Sequence, residues 1–245
     1  MPRVTSYLER FRAGEYVPVW AEIGQLPAVP TEQIDDVTAV ARETMHRVAR
    51  HARRIADALA ELDFEPSHHG IPVLEPPSDN ELADVARLDA QIGGLPIAFA
   101  ACLREVGGVS FLGDCAALQL YYNEPISSHT MPPGPEYPDP LSLPPLAFLR
   151  ESWDEHREDA DEGDEFGFEF APDELHKANI SGSTHTLYLP DTRPDPTIYG
   201  VAGRSGVTLV EYLRISIRWG GFPGWSFAPD RAPVALARLR VEPDF

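Results

Sequence analysis

A chain of 245 residues, 43% of them hydrophobic, can bury a full core, and that length fits one elaborated domain or one domain with a helical arm. Two cysteines, Cys102 and Cys115, are too few for a disulfide framework, and no apolar run approaches the roughly 20 residues needed to cross a bilayer. Neither export nor a membrane span is therefore expected, and a reducing, cytoplasmic setting is the simplest expectation. The net charge of -19 is lopsided: residues 1–60 hold eight Arg against eight acids, so the whole excess lies in residues 61–245. Such a field opposes phosphate backbones and draws basic partners inward, so direct nucleic-acid binding is disfavoured.

Thr31 to Leu62 reads as one long helix, because Ile34, Val37, Ala41, Met45, Val48, Ala52, Ile55, Leu59 and Leu62 recur every three or four residues. At 1.5 Å per residue it would extend about 48 Å, which calls for a bend or a partner helix, a homodimer through this helix included. Its other faces carry Arg42, His46, Arg47, Arg50, His51, Arg53 and Arg54. They form a solvated basic face, an internal counterpart to the acidic half, or an anion site. A Pro-rich connector from Glu65 to Pro77 closes this arm, giving a division into residues 1–77 and 78–245 that still belong to one folded unit.

Leu82, Val85, Leu88 and Ile92 mark a short amphipathic helix stopped by Gly93-Gly94. Pro96 suits the first turn of the next helix and Gly107 its left-handed end. Strands are predicted at Val109–Leu112 and Ala116–Tyr122, and the proline-dense stretch Asn123–Pro145 as a surface excursion. Twelve acids against one Arg fill Glu151–Glu174, a segment that reads as a solvated loop or an interface. Phe166, Phe168 and Phe170 then alternate as one buried face of a strand, followed by a helical turn at Pro172–Lys177 and a strand at Thr184–Leu189. Ile198–Val201 adds a short strand, and Thr208 with Glu211 has capping-box spacing ahead of a helix that buries Leu209, Leu213 and Ile217. Helices first, then short strands, then a helix, give an α+β fold: a mostly antiparallel sheet covered by helices on one side, with a long N-terminal helix.

Chemistry is sparse. His68-His69 lie in a loop without a second cluster, and neither HExxH nor paired CxxC occurs, so no metal or other cofactor is expected. Gly200-Val-Ala-Gly-Arg-Ser-Gly206 lacks the Lys-Ser/Thr ending of a phosphate loop and reads as a turn. Lys177 is the only lysine beside 19 arginines. It is either the i,i+4 ion-pair partner of Asp173 or, with a lowered pKa, the base for Ser181 in a hydrolase. The first is the ordinary explanation, and no catalytic residues are assigned.

The run Thr208-Leu-Val-Glu-Tyr-Leu-Arg-Ile-Ser-Ile-Arg-Trp-Gly-Gly-Phe-Pro-Gly-Trp225 carries a further signal. With Leu95-Pro96 leading to Val106-Gly-Gly-Val-Ser-Phe111, and with Ala171-Pro-Asp-Glu-Leu-His-Lys-Ala-Asn-Ile-Ser-Gly182, it resembles the SUKH superfamily of bacterial immunity proteins and fungal cell-wall regulators. The resemblance covers the chain from about Asp36 onward and implies the same α+β architecture. It also implies that the Pro-Asp-x-x-x-Lys, Ser-Gly and Trp-Gly-Gly-Phe-Pro-Gly positions belong to the scaffold and to a groove beside the sheet. Ser183 departs from it, standing where related sequences tend to have a second glycine.

The expected function is that of a non-enzymatic protein-binding module, an immunity protein that neutralises a cognate toxin by binding its basic, nuclease-like domain. Asp154, Glu155, Glu158, Asp159, Asp161, Glu162, Asp164 and Glu165 supply the candidate contact charge. Trp219 and Phe222 either line a partner groove or pack in the core. The alternatives are an intracellular scaffold or regulatory module recruited through the helical arm and, last, the Lys177/Ser181 hydrolase.

Overall fold

The computed structural model describes residues 6–67, 72–123, 137–159, 161, 163–178, 180 and 182–245. Two short helices that the sequence patterns did not mark open the chain, α1 (Tyr7–Arg12) and α2 (Tyr16–Ile23). Ser6 Oγ accepts the Glu9 amide at 3.1 Å while the Glu9 carboxylate accepts the Ser6 amide, which satisfies two orphan donors of α1 reciprocally. The Asp36 carboxylate takes the amides of Tyr7 and Leu8 and so pins α1 to the long helix α3 (Ile34–Ala60).

Helix α3 spans 27 residues, about 40 Å, after a single 3-10 turn at Thr31–Gln33. Its stripe of Val37, Ala41, Met45, Val48, Ala52, Ile55 and Leu59 is buried. Covering comes from within the chain, from α1, from α5 (Ile97–Glu105) and from α7 (Leu209–Arg218). The basic face of α3 has local partners instead of the distant acidic segment. Arg42 and His46 reach Glu105, and Arg47 pairs with Glu43 and donates to the Asp244 carbonyl. Arg50 and His51 hold the Asp244 carboxylate at 2.6 and 2.8 Å.

The fold is α+β with antiparallel strands, distributed among the described residues over three small sheets. β1 (Glu65–Pro66) pairs with β4 (Gly113–Asp114); β2 (Leu74–Glu75), β3 (Gly108–Ser110) and β5 (Ser142–Leu143) form the second; β6 (Phe166–Pro172) and β7 (Thr184–Leu189) form the third. The connector at 65–77 thus supplies two strands, beside which the Ser67 amide donates to the Leu112 carbonyl and the Val73 carbonyl accepts the Ser110 amide. Strand formation predicted at Ala116–Tyr122 is not observed. Ala116–Leu118 is a 3-10 turn, and Gln119 turns left-handed at φ 58° so that Cys115 and Leu120 pair across it. Ile198–Val201 contributes only the isolated bridge between Thr186 and Tyr199.

One continuous hydrophobic cluster runs from Phe11 to Phe245 and includes residues on both sides of position 77. Cys102 lies within it, and burial pushes its thiol up to about 12, so it behaves as a small apolar side chain. Of the proline-dense stretch 123–145, residues 124–136 lie outside the described residues. The rest is no surface excursion: Asp139, Leu141 and Leu143 are buried.

The glycine motif of the last helix explains that burial. Thr208 caps α7, its hydroxyl accepting the Glu211 amide, and α7 ends at Trp219. Gly221 follows at φ +90°, where a Cβ would press into the Phe111 ring at 2.5 Å. The Gly221 carbonyl accepts the Leu141 amide at 2.7 Å, and the Gly224 amide donates to the Pro138 carbonyl at 3.0 Å. Gly224 has no room for a side chain because the Tyr137 carbonyl occupies the space. The motif therefore clasps residues 137–141 and presses Asp139 inward.

Candidate functional site

Two polar regions stand out, one buried and one open. In the buried region, Lys177 Nζ lies 2.6 Å from Asp139 Oδ1 and 3.3 Å from the Tyr212 hydroxyl. The Tyr212 hydroxyl in turn donates to Asp139 Oδ2. His185 donates Nδ1–H to the Gly200 carbonyl and holds Nε2 at 3.5 Å from Asp139. The side chains of Lys177 and His185 have no solvent exposure. Burial alone would raise the Asp139 carboxyl, but the Lys177 charge and His185 outweigh it and hold the group well below the usual carboxylate range.

The expected Asp173–Lys177 ion pair is replaced by this arrangement. Lys177 does follow Asp173 by one turn, its amide donating to the Asp173 carbonyl at 2.9 Å, but its ammonium turns inward to Asp139. Asp173 instead accepts the backbone amides of His176 at 2.9 Å and Ser183 at 2.5 Å. Burial works against its ionisation, and these two bonds overcome that and lower its pKa. A Cβ at Gly182 would collide with the Asp173 carboxylate, whereas Ser183 contributes only backbone groups, so the Ser-Gly turn needs no second glycine. Ser181, the nucleophile of the hydrolase alternative, lies outside the described residues. Asp195 is a further buried carboxyl; burial pushes it up to about 6, although the Val210 amide at the start of α7 donates to it.

The open region is built on α6 (Leu146–Asp159) and β6. Leu146 and Leu149 are buried, Trp153 is half-buried, and the tilted rings of Trp153 and His156 pack against Phe166 with centroids at 5.2 and 4.9 Å. Phe148 meets Phe168 at 5.8 Å, and Arg150 reaches Asp84 on α4 (Asp79–Ile92) at 2.6 Å. These contacts orient a second stripe, Phe148, Ser152, Glu155 and Asp159, along a groove of about 600 Å³. Asp164, Glu165, Phe166, Gly167 and Glu169 form its other wall, and His156 completes the lining.

Of the eight predicted contact acids, Glu155, Asp159, Asp164 and Glu165 line this groove. Asp154, Glu158 and Asp161 are exposed elsewhere on the same segment, and Glu162 lies outside the described residues. Residues 154–159 are helical and not a loop. None of the ion pairs among the described residues uses the groove carboxylates. Glu155, Glu158 and Asp159 also crowd the C-terminal turns of α6, where the helix dipole disfavours each by about 0.3–1 kcal/mol. Stability of the helix does not account for them.

Trp219 and Phe222 do not join the groove. Phe222 is fully buried beside Phe111, and Trp219 keeps 8% exposure with the Arg240 guanidinium 4.0 Å over its ring. They pack in the core because the glycines between them fold the chain back on α7. Phe148 and Glu169 were not singled out from the sequence; the four-three-four spacing of residues 148, 152, 155 and 159 is the signal that marks the helical wall.

No protein-family model matches this chain, and neither a curated protein nor a solved structure matches it.

Proposed function

We propose that this chain is a non-enzymatic protein-binding module whose α6–β6 groove receives a basic protein partner. The observation that carries the reading is the convergence of five carboxylates, Glu155, Asp159, Asp164, Glu165 and Glu169, on one open groove whose described lining holds neither Lys nor Arg. Their mutual repulsion, and the place of Glu155 and Asp159 toward the C-terminal end of α6, cost the free protein energy that a cationic partner returns. Among proteins that need such a surface, immunity proteins fit best: a nuclease toxin must carry a cationic site for phosphate, and an acidic groove complements it. The SUKH-like motifs support the same reading, and neutralisation of a cognate bacterial toxin in the cytoplasm is its specific form.

The test is capture. Immobilised protein is exposed to lysate of its own source at about 50 and 300 mM salt, spanning a large change in screening, and retained proteins are identified by mass spectrometry. One basic protein retained near stoichiometry at the lower salt and weakened at the higher is the expected result. Retention of neutral or acidic partners alone, insensitive to salt, would contradict the reading.

A further inference from the structure

Among the described residues, strand β6 is hydrogen-bonded on one side only. Its ladder runs with β7 from the pair Phe166–Leu189 to the pair Pro172–Thr184, while β5, a neighbour in space, belongs to a different sheet and shares no ladder with it. In a strand, side chains alternate between faces while the backbone N–H and C=O groups point sideways within the sheet. Phe166 is buried on the inner face and Glu169 is exposed on the outer one, with Gly167 on the outer face beside Tyr188. Phe166, Gly167 and Glu169 all line the same groove. A groove touched by both faces of one strand runs along that strand's edge, and this one covers the N-terminal half of β6.

Unpaired edges attract other chains, and proteins ordinarily blunt them with charge, proline or a covering element. The first half of β6 has no proline, and Gly167 removes bulk from the outer face. Charge is present but of one sign: acids flank the edge on the helical wall and on the approach at Asp164 and Glu165. Like charges repel a second copy of this acidic chain and admit a basic one.

Resting on the reading of the groove as a basic-partner site, the geometry points to β-augmentation as the mode of binding: the partner lays an extended Lys- or Arg-bearing segment along the β6 edge. Main-chain hydrogen bonds to residues 166–169 set its register. One set of the segment's alternate side chains meets Phe148 and the carboxylates of Glu155 and Asp159 on the helical wall, and the other set meets Glu169 on the outer face of β6. An extended segment of four to six residues spans about 13–20 Å, the length of an ordinary strand partner.

A synthetic peptide of about ten residues alternating Lys and Val, long enough for one strand, is the probe, with an otherwise identical peptide methylated on its central backbone nitrogens as control. Affinities are measured by fluorescence anisotropy for the wild-type chain and for the variant Glu155→Gln, Asp159→Asn, Asp164→Asn, Glu165→Gln. Losing a few backbone hydrogen bonds weakens binding about tenfold or more. The expected result is that the unmethylated peptide binds the wild type at least about tenfold tighter than its control, and that neutralisation removes its binding. Equal affinity for the two peptides, with both lost on neutralisation, overturns β-augmentation and leaves the basic-partner reading standing. Binding of neither peptide, or binding indifferent to the four acids, overturns both.

Discussion

Asp139→Asn is expected to cost about 3–5 kcal/mol of folding stability at neutral pH, because it leaves the Lys177 ammonium buried without its counter-charge. The Tyr212 hydroxyl and the remaining amide oxygen can accept from Nζ, but neither carries a charge, and the lysine side chain has no solvent to retreat into. Adding Lys177→Met removes the stranded charge and should recover part of the loss, the buried amide at position 139 still lacking its full set of partners. Urea unfolding of both variants checks the cycle. A loss under about 1 kcal/mol for the single variant would show that water reaches the pair.

The same pair sets an acid limit. The folded-state carboxyl of Asp139 titrates below its unfolded counterpart, so its contribution is complete above the ordinary carboxylate value of about 3.9 and is lost as pH falls from there toward the lower folded-state value. The wild type should therefore lose stability more steeply below about pH 4 than Asp139→Asn does.

Neutralising the groove is expected to act on association and spare the fold. With Glu155→Gln, Asp159→Asn, Asp164→Asn and Glu165→Gln together, the association rate with a captured basic partner should drop about tenfold or more at low salt. Its dependence on ionic strength should flatten, because the steering field reaches about a Debye length, 8 Å at physiological salt. Stability should stay level or rise slightly, since two of the four carboxylates oppose the dipole of α6 and all four are exposed. Stopped-flow kinetics at several salt concentrations, beside thermal unfolding, separates the two effects. An unchanged rate would remove the electrostatic role of the groove.

These two regions differ in how legible they are in the sequence. Period-3.6 burial identifies α3, and period-two aromatics identify β6, because each element hides one face from water over many residues. The strand at Thr184–Leu189 is read to the residue for the same reason. Asp139 is invisible: it lies among prolines and polar residues that suggest surface, and distant groups, Gly221, Gly224 and Phe111, draw its segment inward. The partner of Lys177 is hidden for the same reason, since spacing along the chain offers Asp173 while the fold brings Asp139 from 38 residues away. The strands at 65–66 and 74–75 are two residues each, too short for any periodicity to register.

In the acidic segment, composition shows the charge but not its arrangement. Eight acids in a run suggest one diffuse surface, whereas helix geometry points Glu155 and Asp159 to the groove and Asp154 and Glu158 away from it. Trp219 and Phe222 illustrate the converse: aromatics that suggest a binding groove are held inside by the glycines between them.

The most direct test of the groove as the partner site is a hydrogen-exchange footprint of the chain with and without its captured basic partner. The expected result is new protection confined to residues 148–159 and 163–169, with α3 and the Lys177 region unchanged. Protection of the α3 surface or the C-terminal residues, with the groove exchanging as freely as before, would contradict it.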